Sequence, residues 1–287
     1  MSLMRYCGRE FTDTDIDLIH RLITDNPGVN RSKLSRLLCE AIGWKKVDGG
    51  LKDMSCRVAM LRMQRDGIIM LPPPQKPANN NLKKGRRTLL ALPQPEVNKK
   101  AGEHIVQLQL VEKTASALWN EYIDRYHYLG YTPLPGAQLR YFVKSGEQVL
   151  ALLGFGAAAW KTAPRDEYIG WDADTRKRNL HLIINNARFL ILPWVHSKNL
   201  GSKILSIASR RICGDWLARY NYEPVLLETF VEKERFQGTC YKAANWIYVG
   251  DTQGRGKLDV RNEYKLPVKG IWLYPLKKDF RKRLIEG

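Results

Sequence analysis

The sequence predicts an α/β (α+β) protein with two domains, a small three-helix module and a larger domain built on a mixed β-sheet. Three observations predict this: apolar residues at helical spacing between residues 13 and 66, a basic stretch rich in proline and asparagine, and alternating strands and helices thereafter. The 287 residues, 44% of them hydrophobic, suffice for one large domain and a small partner. We therefore expect domains at residues 4–74 and 102–285, joined by a linker at 75–101.

Charge is the most informative part of the composition. The chain carries 47 basic and 29 acidic residues, a net charge of +18, which predicts a polyanionic partner such as DNA. No run of about 18 apolar residues indicates a membrane span, and the N-terminus lacks the pattern of a secretion signal. We expect a cytoplasmic protein without a membrane partner. The five cysteines form no CxxC pair, which disfavours a disulfide framework or a zinc site.

Three helices are predicted in the first domain. The first covers residues 13–24, where isoleucines recur at helical spacing. The second follows Asn30, a good N-cap residue. The third covers about residues 53–66, and a short strand is predicted at residues 68–71. Three short helices and a strand are typical of a helix-turn-helix or winged-helix unit, although a small protein-interaction module has the same pattern.

The third helix is the candidate for DNA contact. Its apolar residues Met54, Val58 and Leu61 are expected to face inward. The basic residues expected to face the major groove are Lys52, Arg57, Arg62 and Arg65.

The linker holds the densest charge excess, with seven basic residues and one acidic residue over residues 75–101. Four of them stand together: Lys83, Lys84, Arg86 and Arg87. They fit a solvated connection or an arm that touches phosphate groups, and the pattern leaves both open.

Strands and helices alternate in the larger domain. We predict, in chain order, a strand at 103–110, a helix at 114–126, a hairpin of strands 138–143 and 149–156, a helical region at 174–184, a strand at 188–195, a helix at 201–220, a strand at 225–231, a helix at 239–245, a strand at 246–250 and a strand near 270–274. This order predicts a mixed central sheet with helices on both sides.

The segments at residues 188–195 and 196–203 carry the first resemblance. They resemble the fourth strand and the phosphate-binding turn of the acetyltransferase-like (GNAT) fold, in which backbone N–H groups at a helix start bind the coenzyme A pyrophosphate. The resemblance implies that an acyl-coenzyme A-type donor is bound by Lys198, Gly201 and Ser202. Lys203 stands where the family motif has a second small residue. A lone glycine at a helix start also fits a tight turn.

Longer motifs carry a resemblance that covers nearly the whole chain. The runs at residues 37–44 (LLCEAIGW), 48–54 (DGGLKDM) and 236–257 resemble the Druantia phage-defence protein A family, whose relatives are often labelled transposase-associated. The Gly-Thr-x-Tyr-x-Ala-x-Asn-Trp run at 238–246, with the pair His127-Tyr128, is also similar to GNAT-like phage enzymes that modify DNA adenine by momylation. This second resemblance implies group transfer to a nucleobase.

Group transfer to an amine needs a base, an acid and groups that polarise a carbonyl. Glu228, in a predicted strand beside the expected cleft, is the candidate base, although it could pair with a nearby cation instead. His127 and Tyr128 follow a helix, where a histidine can transfer protons or only interact with the last carbonyls. Tyr241 and Asn245 are predicted one turn apart on one helix face.

Two further groups are candidates outside transfer chemistry. Asp172 and Asp174, with Glu228 or Asp251, would suit a two-metal nuclease, but the GNAT-like order argues against such a core, and we predict no metal site. Arg255 and Lys257 lie in a glycine-rich loop that fits phosphate contact or a charged surface hairpin.

These observations favour a DNA-binding protein of a phage-defence or mobile-element system, whose GNAT-like domain transfers a group to a nucleobase. A non-catalytic recognition subunit that recruits a helicase or another defence-system subunit is the alternative. A metal-dependent nuclease of the transposase type is the third.

Overall fold

The computed structural model describes residues 4–75, 91–98, 100–103, 105–254 and 266–286. The chain divides into two compact units, Met1–Lys83 and Lys84–Gly287, and the division falls within the predicted linker. No helix in the described part of the chain has the length and apolar character needed to cross a membrane.

The N-terminal unit holds a short hairpin and three helices. Its elements are β1 (Met4–Tyr6), β2 (Arg9–Phe11), α1 (Asp13–Asp25), α2 (Arg31–Ala41) and α3 (Asp53–Arg65). Thr12 and Asp15 form a capping box at the start of α1, and the side chain of Asn30 caps α2 as predicted. The three helices predicted from the sequence are confirmed.

The strands of this unit differ from the prediction, and a winged helix is not shown. The β1–β2 hairpin precedes the first helix and has only three residues in each strand, too few for a clear alternating pattern. Residues 68–71 form no strand, although Ile69 and Leu71 are buried in the core. Between α2 and α3 a second turn is closed by a bridge between Lys45 and Leu51.

The inward face of α3 was predicted wrongly at Met54 and Val58, whereas Leu61 packs against the core as expected. Met54 is 59% exposed and Val58 is 38% exposed. The side chains that enter the core are instead Cys56, Ala59, Met60 and Met63. Because α3 carries apolar residues at helical spacing on two faces, periodicity alone does not choose between them. The structure places the smaller residues, Cys56 and Ala59, inward.

The C-terminal unit is a mixed seven-stranded sheet with helices on both faces. Its elements are β3 (Gln107–Leu110), α4 (Ser116–Tyr126), β4 (Gln138–Ser145), β5 (Gln148–Ala157), α5 (Ala163–Ile169), α6 (Ala173–Asn179), β6 (Ile183–Ile191), α7 (Leu200–Tyr220), β7 (Leu226–Glu232), α8 (Thr239–Ala243), β8 (Ile247–Asp251), β9 (Lys269–Pro275) and α9 (Phe280–Glu286). The mixed-sheet fold class predicted from the sequence is confirmed.

The strand order in this sheet is β3-β4-β5-β6-β7-β9-β8, in which only β6 and β7 pair in parallel. Two helices, α5 and α9, were not predicted. The predicted helical region at 174–184 ends earlier, because Leu180–Leu182 forms a 3₁₀ turn and β6 already begins at Ile183. The apolar pair Ile183-Ile184 continues a helical pattern as well as it starts a strand, which explains the error.

The two central parallel strands separate after a short stretch of pairing. Residues 183–185 of β6 pair with residues 226–228 of β7, and in this described part of the sheet the ladder ends there. The residues that follow, 186–191 and 229–232, flank what we call the β6–β7 opening. A β-bulge at Ala187 bends β6 beside it, because Arg188 pairs with Gly154 while Asn186 pairs with Phe155.

Candidate functional site

The β6–β7 opening is occupied by the side chain of Tyr241 from α8. Its hydroxyl donates to Asn186 Oδ1 at 2.9 Å, and the Thr229 hydroxyl donates to the Asn186 carbonyl at 3.0 Å. The Tyr241 ring packs edge-on against Phe189 and Trp246. Burial raises the pKa of Tyr241 well above its ordinary value, so the phenol stays neutral. The opening is therefore closed on this side by a buried, hydrogen-bonded residue of the chain itself.

The residues expected to hold an acyl-coenzyme A donor lie in a closely packed helix start. A Cβ atom placed on Gly201 would lie 3.1 Å from Cβ of Cys240 and 3.5 Å from Cδ1 of Ile191, so the starts of α7 and α8 are in direct contact. The Ser202 hydroxyl donates to the carbonyl of Asn199 at 3.0 Å, while Lys198 is exposed. Cys240 of α8 therefore packs against the first turn of α7 at the position expected to hold the pyrophosphate.

Glu228 lies in a closed ion pair. Both side chains of the pair are fully buried, and Arg165 Nη1 donates to Glu228 Oε2 at 2.8 Å. The other carboxylate oxygen, Oε1, accepts from the backbone N–H of Ala159 at 2.6 Å. Burial raises the pKa of Glu228, and the Arg165 guanidinium and the Ala159 N–H oppose that rise. With both oxygens engaged and no exposed surface, the geometry favours a structural role for Glu228.

Glu228 and Tyr241 also lie on opposite faces of the sheet. Successive residues of a strand point to opposite faces. Thr229 lies against Tyr241 of α8, whereas its neighbour Glu228 meets Arg165 of α5. The two candidate residues, Glu228 and Tyr241, are therefore both buried, and the sheet lies between them.

His127 and Tyr128 form a partly exposed cluster just after α4. Their rings stack at 4.9 Å, and the guanidinium of Arg235 lies 5.1 Å from the Tyr128 ring. Nδ1 of His127 accepts from the backbone N–H of Leu129 at 3.2 Å. Burial, with help from the cations Arg188 and Lys269, lowers the pKa of His127 to about 4. The imidazole is therefore neutral at neutral pH.

Asn245 does not share a helix face with Tyr241. The helix α8 ends at Ala243, and Asn245 takes the left-handed conformation (φ 61°) beyond it. Asparagine tolerates that conformation better than most residues, which explains its place in the turn before β8.

The acidic residues of the nuclease interpretation do not converge. Asp172 caps α6 through the N–H of Thr175, Asp174 is exposed in the first turn of α6, and Asp251 accepts from Lys233 at 2.6 Å. Among the described residues, no group of three or more His, Cys, Asp or Glu side chains could hold a metal ion.

Sequence reasoning missed an aromatic surface at the end of the sheet. Three rings, Phe236, Tyr248 and Trp272, line one cavity of about 230 Å³, and we call them the aromatic ledge. Phe236 is 51% exposed and Tyr248 is 47% exposed. Trp272 is half-buried. The one available signal was the segment Lys233-Glu-Arg-Phe-Gln237, which places an aromatic residue among charges in a loop.

Four of the ten basic residues predicted to bind nucleic acid are described by the structure, all of them on or beside α3. Arg62 and Arg65 are exposed at the end of α3, and Lys52 and Arg57 are half-buried near its start. Six others lie outside the described residues: Lys83, Lys84, Arg86, Arg87, Arg255 and Lys257.

Two solved acetyltransferases are similar to this chain. Spermidine N-acetyltransferase from Vibrio cholerae has 11% identity and a TM-score of 0.39, over 60% of this chain and 95% of that protein. The aminoglycoside acetyltransferase AAC(6')-Ib, solved with coenzyme A, has 12% identity and a TM-score of 0.40, over 62% of this chain and 98% of that protein. None of the curated proteins compared with the chain matches it. The family model described as Druantia protein DruA matches residues 62–264, and the chain belongs to that family.

Proposed function

We propose that this protein is the DNA-recognition component of a Druantia defence system, with α3 lying against the DNA duplex. One observation carries the proposal. The outer face of α3 is uncovered within its unit and combines the exposed apolar side chains of Met54 and Val58 with the cations Arg62 and Arg65. A single α-helix is the element that the major groove admits.

The charges of α3 favour a polyanion over an apolar partner. The only acidic residue of the helix is Asp53, whose carboxylate lies 3.8 Å from Arg36 of α2. Arg57, Arg62 and Arg65 follow along the helix, and Arg62 and Arg65 are one turn apart. Arginine binds phosphate groups and reads guanine edges, while apolar side chains contact the thymine methyl group. Both kinds of contact are available on this face.

The packing of the C-terminal unit supports DNA recognition without group transfer better than it supports acyl transfer. Gly201, where the resemblance implies an acyl-coenzyme A donor, packs directly against Cys240 of α8. Glu228, the candidate base, is engaged by Arg165 and Ala159. A recognition component acts through a partner, and a helicase or another subunit of the same system is the class of partner that we propose.

Salt dependence tests the α3 contact. The full chain is titrated with a fluorescent duplex of about 25 base pairs between 50 and 200 mM salt, the range in which phosphate contacts dominate affinity. The double variant Arg62→Ala/Arg65→Ala should flatten the log–log slope by about 1 per lost phosphate contact. Arg21→Ala, which removes an exposed cation from α1, is the matched control. Equal slopes for the double variant and this control would overturn the proposal.

The linker is tested in the same titration. Replacing Lys83, Lys84, Arg86 and Arg87 by alanine should also make the slope shallower if the linker touches phosphate groups. An unchanged slope would leave α3 as the duplex contact and the linker as a solvated connection.

A further inference from the structure

We infer that the aromatic ledge binds single-stranded DNA, whose unpaired bases stack on Phe236, Tyr248 and Trp272. The choice of DNA as the ligand rests on the proposed function. The site itself does not, because the ledge lies in the C-terminal unit and shares no residue with α3.

The rings of the ledge are held in fixed positions. Tyr248 and Trp272 are cross-strand partners on β8 and β9, with ring centroids 5.4 Å apart. Gly238, at φ 71°, passes flush against the Trp272 ring, so that a Cβ there would lie 2.6 Å from Cζ2. Gly270 approaches both rings in the same way, at 3.3 and 3.4 Å. Rings fixed before binding lose little conformational entropy when a base stacks on them.

A second cavity of about 550 Å³ adjoins the first and is lined by Lys242 and Trp246 in addition to shared residues. Within the described part of the chain the indole N–H of Trp246 is buried and has no hydrogen-bond partner. The side-chain amide of the exposed Gln237 could pair with a base edge. The first cavity, about 230 Å³, is smaller than the pockets that take drug-sized ligands, and suits one planar base.

Three cations lie around the ledge. Lys233 and Lys242 line the cavities, and the Arg235 guanidinium lies over the Tyr128 ring. Two of the three are paired with acids, Lys233 with Asp251 and Arg235 with Glu232. Lys242 has no ion pair among the described residues and is the cation available to a phosphate group, while Glu234 is exposed. Tyr128 adds a further exposed ring to this surface, because its ring centroid lies 5.5 Å from that of Phe236.

Unpaired bases are the class of ligand that uses such a surface. In a duplex the faces of the bases are stacked on one another, whereas a single strand offers them to aromatic side chains. Stacking tolerates every sequence, and surrounding cations track the backbone. An apolar protein partner would not account for the exposed Lys242 at the rim of the ledge.

The test measures binding of the full chain to a fluorescent 20-nucleotide single strand, the matching duplex and the matching oligoribonucleotide. Phe236→Ala and Tyr248→Ala should each weaken single-strand binding about five-fold or more, since one stacking contact is worth about that factor. Phe236→Trp and Tyr248→Phe keep a ring and should bind nearly as the parent does. Trp160→Ala removes an exposed ring outside the ledge and is the matched control.

Photocrosslinking gives a second readout that needs no variant. A single strand carrying 5-bromodeoxyuridine should crosslink to peptides containing Phe236, Tyr248 or Trp272 in the unmodified protein. Crosslinks that avoid all three residues would overturn the inference. So would single-strand affinity that is unchanged in both alanine variants, or tighter binding of the oligoribonucleotide.

The two proposals fail separately. Loss of single-strand binding in the ledge variants with intact duplex binding supports the ledge, whatever the α3 variants do. If the α3 variants leave duplex binding unchanged while the ledge variants lose the single strand, the duplex proposal fails and the ledge stands.

Discussion

Replacing Glu228 tests whether its carboxylate has a structural or a catalytic role. In Glu228→Gln the amide oxygen can replace one of the two acceptors that now face Ala159 N and Arg165 Nη1. The amide nitrogen then faces a donor, and Arg165 keeps only Asp166 as its anionic partner, at 2.8 Å. Breaking a buried ion pair costs about 3–5 kcal/mol. Because the contact with Asp166 remains, we expect the lower end of that range, about 3 kcal/mol.

Thermal unfolding of the full chain checks this value. For a unit the size of Lys84–Gly287, 1 kcal/mol corresponds to about 2–4 °C in Tm, so Glu228→Gln should lower the Tm of that unit by about 6–12 °C. The matched control is Asp279→Asn, which breaks an exposed, solvent-screened pair with Arg283 and should leave the Tm almost unchanged. A Tm for Glu228→Gln as close to the parent as that of Asp279→Asn would refute the structural role.

Arg165→Met leaves the carboxylate buried without its cation. The pKa of Glu228, already raised by burial, should then rise further, because the opposing charge is gone. A carboxyl group whose pKa is raised in the folded state stabilises that state at low pH, and the stabilisation is lost as the pH rises through the folded pKa. The destabilisation by Arg165→Met should therefore be smaller at pH 5 than at pH 8. An equal loss at both pH values would contradict this linkage.

Three further predictions concern single residues. Folding lowers the pKa of His127 from 6.5 to about 4, so the unfolded chain binds the proton at a higher pH than the folded protein does. Between pH 7.5 and pH 5, the free energy of unfolding of the parent should therefore fall by about 2 kcal/mol more than that of His127→Gln, as measured by urea unfolding. Gly238→Ala should cost about 2 kcal/mol or more in the same assay, because φ is 71° and the methyl group meets Trp272, whereas Gly214→Ala in α7, which meets nothing within 4 Å, should not destabilise. Cys39 and Cys56 are buried and burial raises the pKa of both thiols, so they should react with a thiol reagent only after unfolding; modification of the folded protein at either would contradict the core packing.

The elements with strong local signals were predictable. Asn30 and the apolar spacing that follows it identify α2, and the alternation of residues 138–156 around a tight turn identifies the β4–β5 hairpin. The short elements were not predictable. Helices α5 and α9 have seven residues each, and most of their stability comes from burial of a few side chains, such as Ile169 and Phe280, against the sheet.

The candidate site was less accessible to sequence reasoning, because its partners are distant along the chain. Glu228 pairs with Arg165, 63 residues away, in a helix that was not predicted. Tyr241 and Asn186 lie 55 residues apart and meet only because the strands diverge. For the ledge, the sequence shows that Tyr248 and Trp272 lie in strands. Which face of the sheet is left uncovered depends on where α8 ends.

Tyr241 has a consequence for the sheet as a whole. Its phenol lies between the two central strands, next to the point where their ladder of hydrogen bonds ends. The gap between β6 and β7 is therefore filled by a side chain of the protein itself and needs no bound ligand. Tyr241→Ala would leave a cavity of the size of a phenol ring, lined by the Asn186 amide and the Thr229 hydroxyl. Phenol added in solution could bind in that cavity.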